Sequence, residues 1–127
     1  MPTDVTGYSK TVITHTDAPN NTQNILTVSI PEGQTQTYAM LFVGGTSDFK
    51  YVRKWVLFTV YNNGGTAAVV DGGSGIIDII APYSDAGFSS PPGYSFSVTT
   101  DVLTVDVTGP DNFEQMQWKV DIQWSII

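Results

Sequence analysis

The segment QWKVDIQWSII, residues 117–127, alternates strictly between polar and apolar side chains. A period of two over this length is typical of a β-strand that packs one face on a core. The same alternation runs through SFSVTT at 95–100 and VLTVDVT at 102–108. The three segments predict a three-stranded meander, with reversals at Thr100-Asp101 and at residues 109–112.

The whole composition points to the same fold class. Val, Ile, Thr, Tyr, Phe and Trp supply 55 of 127 residues, and 12 Gly and 7 Pro provide turns. Branched and aromatic side chains favour strands over helices. We predict one all-β domain, an antiparallel β-sandwich or jelly-roll-like fold of eight to nine short strands over residues 25–127. Residues 1–24 are predicted to form an N-terminal arm or an edge strand.

Two predicted strands, 34–43 and 51–62, carry apolar residues on both faces. In the second strand one face holds Val52, Val56, Phe58 and Val60, and the opposite face holds Tyr51, Trp55, Leu57 and Tyr61. A two-layer sandwich normally leaves the outer face of a sheet polar. We therefore expect the second face to be covered by another subunit or by the arm, which makes Tyr51, Trp55, Leu57 and Tyr61 candidate subunit-contact residues.

Charge and cysteine content exclude several classes of function. The formal net charge is −7, which argues against a nucleic-acid partner and against binding to an anionic membrane. The chain has no cysteine, so thiol catalysis and cysteine-ligated zinc are excluded. We expect neither a nucleic-acid partner nor a membrane partner.

Residues that could carry catalysis are sparse. The single histidine, His15, has only Asp17 as an acidic neighbour in sequence. The cluster Gly73-Ser74-Gly75 lacks the spacing of a nucleophile elbow. We expect no enzyme activity, no cofactor and no dedicated metal site, although a calcium ion held by loop carbonyls and Asp71 stays an open alternative. The other aspartates considered, Asp78 and Asp85, are not spaced as a calcium loop requires.

A long segment, residues 81–94, is rich in Pro, Ser and Gly and carries Tyr83, Phe88 and Tyr94. Aromatic side chains on a loop can stack on sugar rings or anchor a protein partner. We consider these three residues a candidate partner-binding or glycan-binding site. The alternative is that they close one end of the sandwich as packing residues.

Several segments, taken in order, carry a family resemblance. They are ILTVSIPEGQ at 25–34, YSFSVTT at 94–100, VLTVDVTG at 102–109 and QWKVDI at 117–122. The chain resembles, over roughly residues 22–127, a small β-domain of tailed-bacteriophage virion structural proteins. In that family a segment of the form l.v.vtG precedes a strand that opens with Trp, as here. The family's basic middle strand is represented only by Arg53-Lys54.

The resemblance implies a protein without catalytic residues that works by binding. It implies a location in the virion, as a capsid decoration or cement protein or as a component of a head or tail fibre. Other virion proteins would be its partners, and we expect a homo-oligomer, with a trimer as the first choice. The alternative function is a carbohydrate-binding β-sandwich module that uses the loop aromatics.

Overall fold

The computed structural model describes residues 6–17, 21–47, 51–70, 77–80, 92–110 and 115–127. These residues contain nine β-strands in chain order: β1 Thr6–Thr16, β2 Thr22–Ser29, β3 Thr35–Gly45, β4 Tyr51–Asn63, β5 Thr66–Val69, β6 Ile77–Ile80, β7 Gly93–Thr99, β8 Val102–Thr108 and β9 Met116–Ile126. The predicted all-β class is confirmed. Among the described residues no helix is long and apolar enough to span a membrane.

The strands form two antiparallel sheets that pack as a sandwich. The larger sheet has the order β1-β9-β3-β4-β5, and β6 pairs with β4 beside β5. The smaller sheet has the order β2-β8-β7. Aromatic rings join the two layers, since Phe58 of β4 lies 4.4 Å from Phe96 of β7 between ring centroids. The fold is therefore a two-sheet β-sandwich.

The inner faces follow the alternation in the sequence. Even-numbered residues of β3, β4 and β9 point into the core, and odd-numbered residues of β8 meet them from the smaller sheet. The fully buried apolar side chains include Tyr38, Met40, Val56, Val60, Leu103, Val105, Val107 and Val120. The two faces predicted for β4 are both confirmed, with Val52, Val56, Phe58 and Val60 buried.

The β4–β5 hairpin turns through two glycines. Asn63 pairs with Thr66, so Gly64 and Gly65 form the loop, and their φ angles are +74° and +91°. A turn with positive φ at both central positions has a backbone twist that matches the twist of the flanking strands. Glycine adopts positive φ without a steric penalty. The hairpin predicted from Asn62-Asn63-Gly64-Gly65 is confirmed.

The predicted C-terminal meander is wrong in its third strand. β7 and β8 do form a hairpin around Thr100-Asp101, with Thr99 opposite Val102. The other edge of β8, however, is occupied by β2, and β9 lies in the larger sheet between β1 and β3. The chain crosses between the sheets after β8, where Gly109 donates its backbone N–H to the Asn21 carbonyl oxygen at 3.0 Å. An added Cβ at Gly109 would lie 2.4 Å from Thr16 Oγ1, so this corner has no room for a side chain.

The N-terminal segment takes part in both sheets. β1 pairs with β9 along its full length and forms one edge of the larger sheet. β2 begins at Thr22, so the boundary at residues 24 and 25 falls inside this strand. A β-bulge between Asn24 and Leu26 interrupts the pairing of β2 with β8. As a result the consecutive residues Ile25 and Leu26 are both buried.

Candidate functional site

The outer face of the larger sheet carries an apolar surface on its β3 and β4 side. The register places Trp55 beside Leu41, Leu57 beside Ala39, and Arg53 beside Val43. Trp55 has 45% of its surface accessible, more than Leu41 or the tyrosines of the same face. We call this surface the apolar patch, and it consists of Leu41, Val43, Tyr51, Trp55, Leu57 and Tyr61 together with Arg53.

The four residues predicted as a subunit contact all lie in the apolar patch. Tyr51, Trp55 and Tyr61 are exposed, and Leu57 is half-buried between them. They share one face because β4 is regular from Tyr51 to Asn63 and pairs with β3 without a register shift. Their role as a subunit contact stays a prediction.

A polar half of the same face borders the apolar patch. β9 and β1 present outward residues that hydrogen-bond to one another, with Thr11 Oγ1 donating to Asp121 Oδ1 at 2.8 Å. Lys119 Nζ lies 3.9 Å from Asp121 Oδ2. Between the two halves runs an open groove of about 610 Å³, lined on one side by Trp55 and Leu41 and on the other by Asp121 and Gln123.

Charge is distributed unevenly between the two halves. Arg53 is the only charged residue among the outward positions of β3 and β4, both of which the structure describes throughout. Its guanidinium carbon lies 5.4 Å from the centre of the Tyr51 ring, a cation–π distance. The apolar patch therefore combines aromatic rings, aliphatic side chains and one arginine, and it lacks carboxylates.

The predicted loop aromatics fall in different places. Tyr83 and Phe88 lie outside the described residues. Tyr94 belongs to β7, and its ring centroid lies 4.9 Å from Phe42 and 5.0 Å from Phe96. Lys54 Nζ lies 5.4 Å from the centre of the same ring. Tyr94 therefore packs on the core, and the glycan-binding role of the three residues stays a prediction.

These ring contacts belong to a longer aromatic row inside the sandwich. It runs from Tyr8 through Trp124, Tyr38, Phe58, Phe96 and Tyr94 to Phe42. Tyr38 is the third ring of the row, and its hydroxyl donates to Gln36 Oε1. Burial raises the pKa of the Tyr38 hydroxyl to about 12, because the phenolate would lose its hydration. The alternation in the sequence predicts which face of a strand each ring occupies. It does not predict which rings contact one another across the two sheets.

The groups considered for catalysis or metal binding are dispersed. His15 Nε2 lies 3.1 Å from Asp17 Oδ2, and both side chains are more than half exposed at the surface. Residues 73–75, Asp71 and Asp85 lie outside the described residues. In the parts of the chain that the structure describes, no three His, Asp or Glu side chains converge where they could hold a metal ion.

Comparison with known proteins gives likeness at the level of structure only. No protein family and no curated protein matches the sequence. The chain is similar to part of a tailspike protein gp49 from Acinetobacter baumannii bacteriophage Fri1, a capsular polysaccharide depolymerase, with 13% identity and a TM-score of 0.41. It is similar also to part of the Acinetobacter baumannii phage AM24 tailspike protein, with 7% identity and a TM-score of 0.42. The matches cover 92% and 94% of this chain but only 17% and 26% of those proteins.

Proposed function

We propose that this protein is a non-enzymatic structural component of a bacteriophage virion that works by protein–protein assembly. It would act as a capsid decoration or cement protein or as part of a head or tail fibre. The sequence resemblance over roughly residues 22–127 supports the phage assignment. The observation that carries the assembly role is the apolar patch, with Trp55 45% exposed at its centre.

The composition of the apolar patch fits a protein contact. Exposed Trp, Tyr and Arg side chains are enriched where proteins bind one another, and carboxylates are depleted at the centre of such contacts. Trp55, Tyr51 and Arg53 supply the enriched types, and the outward residues of β9 supply a polar border. Burying exposed aromatic rings against a partner stabilises the complex through the hydrophobic effect.

The partners we propose are further copies of this chain and other virion proteins. A closed homo-oligomer, with a trimer as the first choice, would bury the apolar patch of every copy against a neighbour. Assembly through the outer face leaves the fold of each sandwich unchanged, because the core lies on the opposite face of the sheet. This proposal involves no substrate and no catalytic residue.

Tryptophan fluorescence across a concentration series tests the assembly role. Trp118 is buried and Trp124 is half-buried, so Trp55 is the tryptophan most open to an aqueous quencher. A Trp55→Phe variant serves as the blank, and the difference between the two proteins isolates the Trp55 signal. We expect Trp55 emission to shift to shorter wavelength and to become protected from acrylamide as concentration rises. A Trp55 signal that stays fully quenchable at the highest concentration would contradict assembly through this face.

A further inference from the structure

The outer edge of β1, as far as the described residues show, is a template for strand pairing. β1 pairs with β9 over eleven consecutive residues without a register shift. On its other side no strand pairs with it among the described residues. An edge strand exposes a row of backbone N–H and C=O groups that a further strand can bind.

The other edges of the two sheets are shorter or irregular. β5 and β6 have four residues each, β7 has seven, and β2 carries the bulge at Asn24. Short strands and bulges are the features by which proteins block unwanted edge pairing. β1 has neither of them, it contains no proline, and Lys10 is its only residue of the Lys, Arg, Asp and Glu types.

The hydrogen-bonding pattern identifies which residues of β1 face the open side. Ile127 donates its backbone N–H to the Thr35 carbonyl oxygen at 2.9 Å, so the odd-numbered residues of β9 direct their backbone groups to β3. Backbone groups alternate in direction along a strand, so the even-numbered residues of β9 bond to β1. The β1–β9 register joins even to even. The odd-numbered residues of β1 therefore direct their N–H and C=O groups to the open side, and they are Gly7, Ser9, Thr11, Ile13 and His15.

We propose that a second copy of this chain pairs antiparallel with β1 at this edge. The pairing is centred on Thr11, which lies opposite Thr11 of the second copy on a two-fold axis perpendicular to the sheet. In this register Ser9 lies opposite Ile13 and Gly7 lies opposite His15, so every odd-numbered residue of β1 finds a hydrogen-bonding partner. The two larger sheets become one continuous sheet across the axis.

The charges on β1 permit a second copy along this strand. Two chains of net charge −7 repel each other over most of their surfaces. β1 has no carboxylate, and the register places Lys10 opposite Val12, so no like charges are opposed. Thr11 lies opposite Thr11 of the second copy on the axis, and each hydroxyl can stay bonded to Asp121 of its own chain. Ile13, which is 75% exposed, gains a neighbouring strand.

The edge contact goes beyond the proposed function and is independent of the apolar patch. β9 and β3 separate β1 from β4 in the larger sheet, so one copy can use both surfaces at once. An isologous contact closes with two copies. Edge pairing therefore joins each chain to one further copy, in addition to its contacts through the apolar patch.

Disulfide trapping tests the register, because the chain has no cysteine of its own. Thr11→Cys introduces one thiol per chain beside the two-fold axis. Hydrogen-bonded neighbours in antiparallel strands have Cα atoms about 5.5 Å apart, within the range of a disulfide. Ser9→Cys is the matched control, because its two thiols lie four residues apart along the strands, about 13 Å. Under mild oxidation we expect a disulfide dimer from Thr11→Cys and none from Ser9→Cys.

A second variant tests the contact without a cross-link. Ser9→Pro removes an N–H on the open side only, so the pairing of β1 with β9 is kept. We expect the mass by light scattering to fall below that of the wild-type protein, with an unchanged unfolding midpoint. Equal cross-linking of both cysteine variants, cross-linking of neither, or an unchanged mass for Ser9→Pro would each overturn the proposal. Loss of the apolar-patch contact through Trp55→Gln leaves these results unaffected, so the two proposals fail separately.

Discussion

Replacement of Asn62 tests how the larger sheet is joined to the exit of β2. Asn62 is 4% exposed, and its Nδ2 donates to the Ile30 carbonyl oxygen at 2.6 Å. Its Oδ1 accepts the backbone N–H of Gly65 at 3.0 Å. One side-chain amide therefore joins the end of β2 to the β4–β5 turn, and alanine removes both hydrogen bonds.

The loss can be estimated from the two bonds. Each intramolecular hydrogen bond contributes about 1 kcal/mol net, and a buried group left without a partner costs about 1–3 kcal/mol. Gly65 is exposed, so its N–H can bind water in the variant, whereas the Ile30 carbonyl belongs to a buried residue. We expect Asn62→Ala to lower the free energy of unfolding by about 2–4 kcal/mol, which lowers the melting temperature by roughly 10 °C.

Asn62→Asp separates the two bonds by pH. An ionised carboxylate can still accept from Gly65, but it cannot donate to the Ile30 carbonyl oxygen and repels it. The folded state therefore raises the pKa of the introduced carboxyl. Relative to the wild-type protein, this variant is expected to be most stable below about pH 4, the ordinary pKa of aspartate, and to lose stability as the pH rises above it.

Urea unfolding followed by circular dichroism at pH 3 and pH 7 measures both variants. Asn63→Ala is the control, since Asn63 is the exposed neighbour in the same hairpin, and we expect it to change stability by less than about 0.5 kcal/mol. The reasoning is refuted if Asn62→Ala unfolds within about 0.5 kcal/mol of the wild-type protein. It is refuted equally if the stability of Asn62→Asp relative to the wild-type protein is no lower at pH 7 than at pH 3.

Three further predictions concern the aromatic row and the core. Tyr94→Ala removes ring contacts at 4.9 and 5.0 Å, so we expect a loss of about 2–4 kcal/mol in urea unfolding, whereas a solvent-facing ligand platform would show almost none. The pKa of the Tyr38 hydroxyl is raised to about 12, so the contribution of this group to the free energy of unfolding should be fully present below pH 10 and be lost between pH 10 and 12. Tyr38→Phe should remove that part of the decline in alkaline unfolding curves. Gly44→Ala would place a methyl group 3.0 Å from Met116 Cε and 3.1 Å from Trp118 Cε3, so we expect a loss of about 1–2 kcal/mol, with Gly7→Ala, which has nothing within 4 Å, as the near-neutral control.

Alternation predicted the faces of the strands well. The two faces of β4, β8 and β9 follow from a period of two, because that period places alternate side chains on opposite faces of a strand. The Asn-Asn-Gly-Gly hairpin could equally be predicted from the sequence, because positive φ at Gly64 and Gly65 restricts the residue types that can occupy the turn. These features depend on local sequence.

Which strands lie side by side could not be predicted from the sequence in the same way. A period of two fixes the face of β9 but says nothing about which strand lies beside it, so the meander prediction paired β9 with β8 by default. The crossover depends on the close approach of Gly109 to Thr16, which are 93 positions apart in sequence. The bulge after Asn24 shifts the alternation of β2 by one residue, and no residue type there signals it.

The candidate site was predicted in part. The residues Tyr51, Trp55, Leu57 and Tyr61 could be found as a set because β4 had two apolar faces. Leu41 and Val43 joined them only through the register of β3 with β4, which the structure supplies. That β1 leaves one edge of the larger sheet open could not be predicted from the sequence either, because an edge strand and a central strand can have the same composition.

The solution mass by light scattering, measured across a concentration series for the wild-type protein and Trp55→Gln, tests the central claim most directly. Ser97→Gln introduces the same side chain at an exposed position of the smaller sheet and is the matched control. We predict that the wild-type protein and Ser97→Gln reach the same multiple of the 13.8 kDa chain mass, and that Trp55→Gln forms a smaller assembly. Identical masses for all three proteins at every concentration would contradict assembly through the apolar patch.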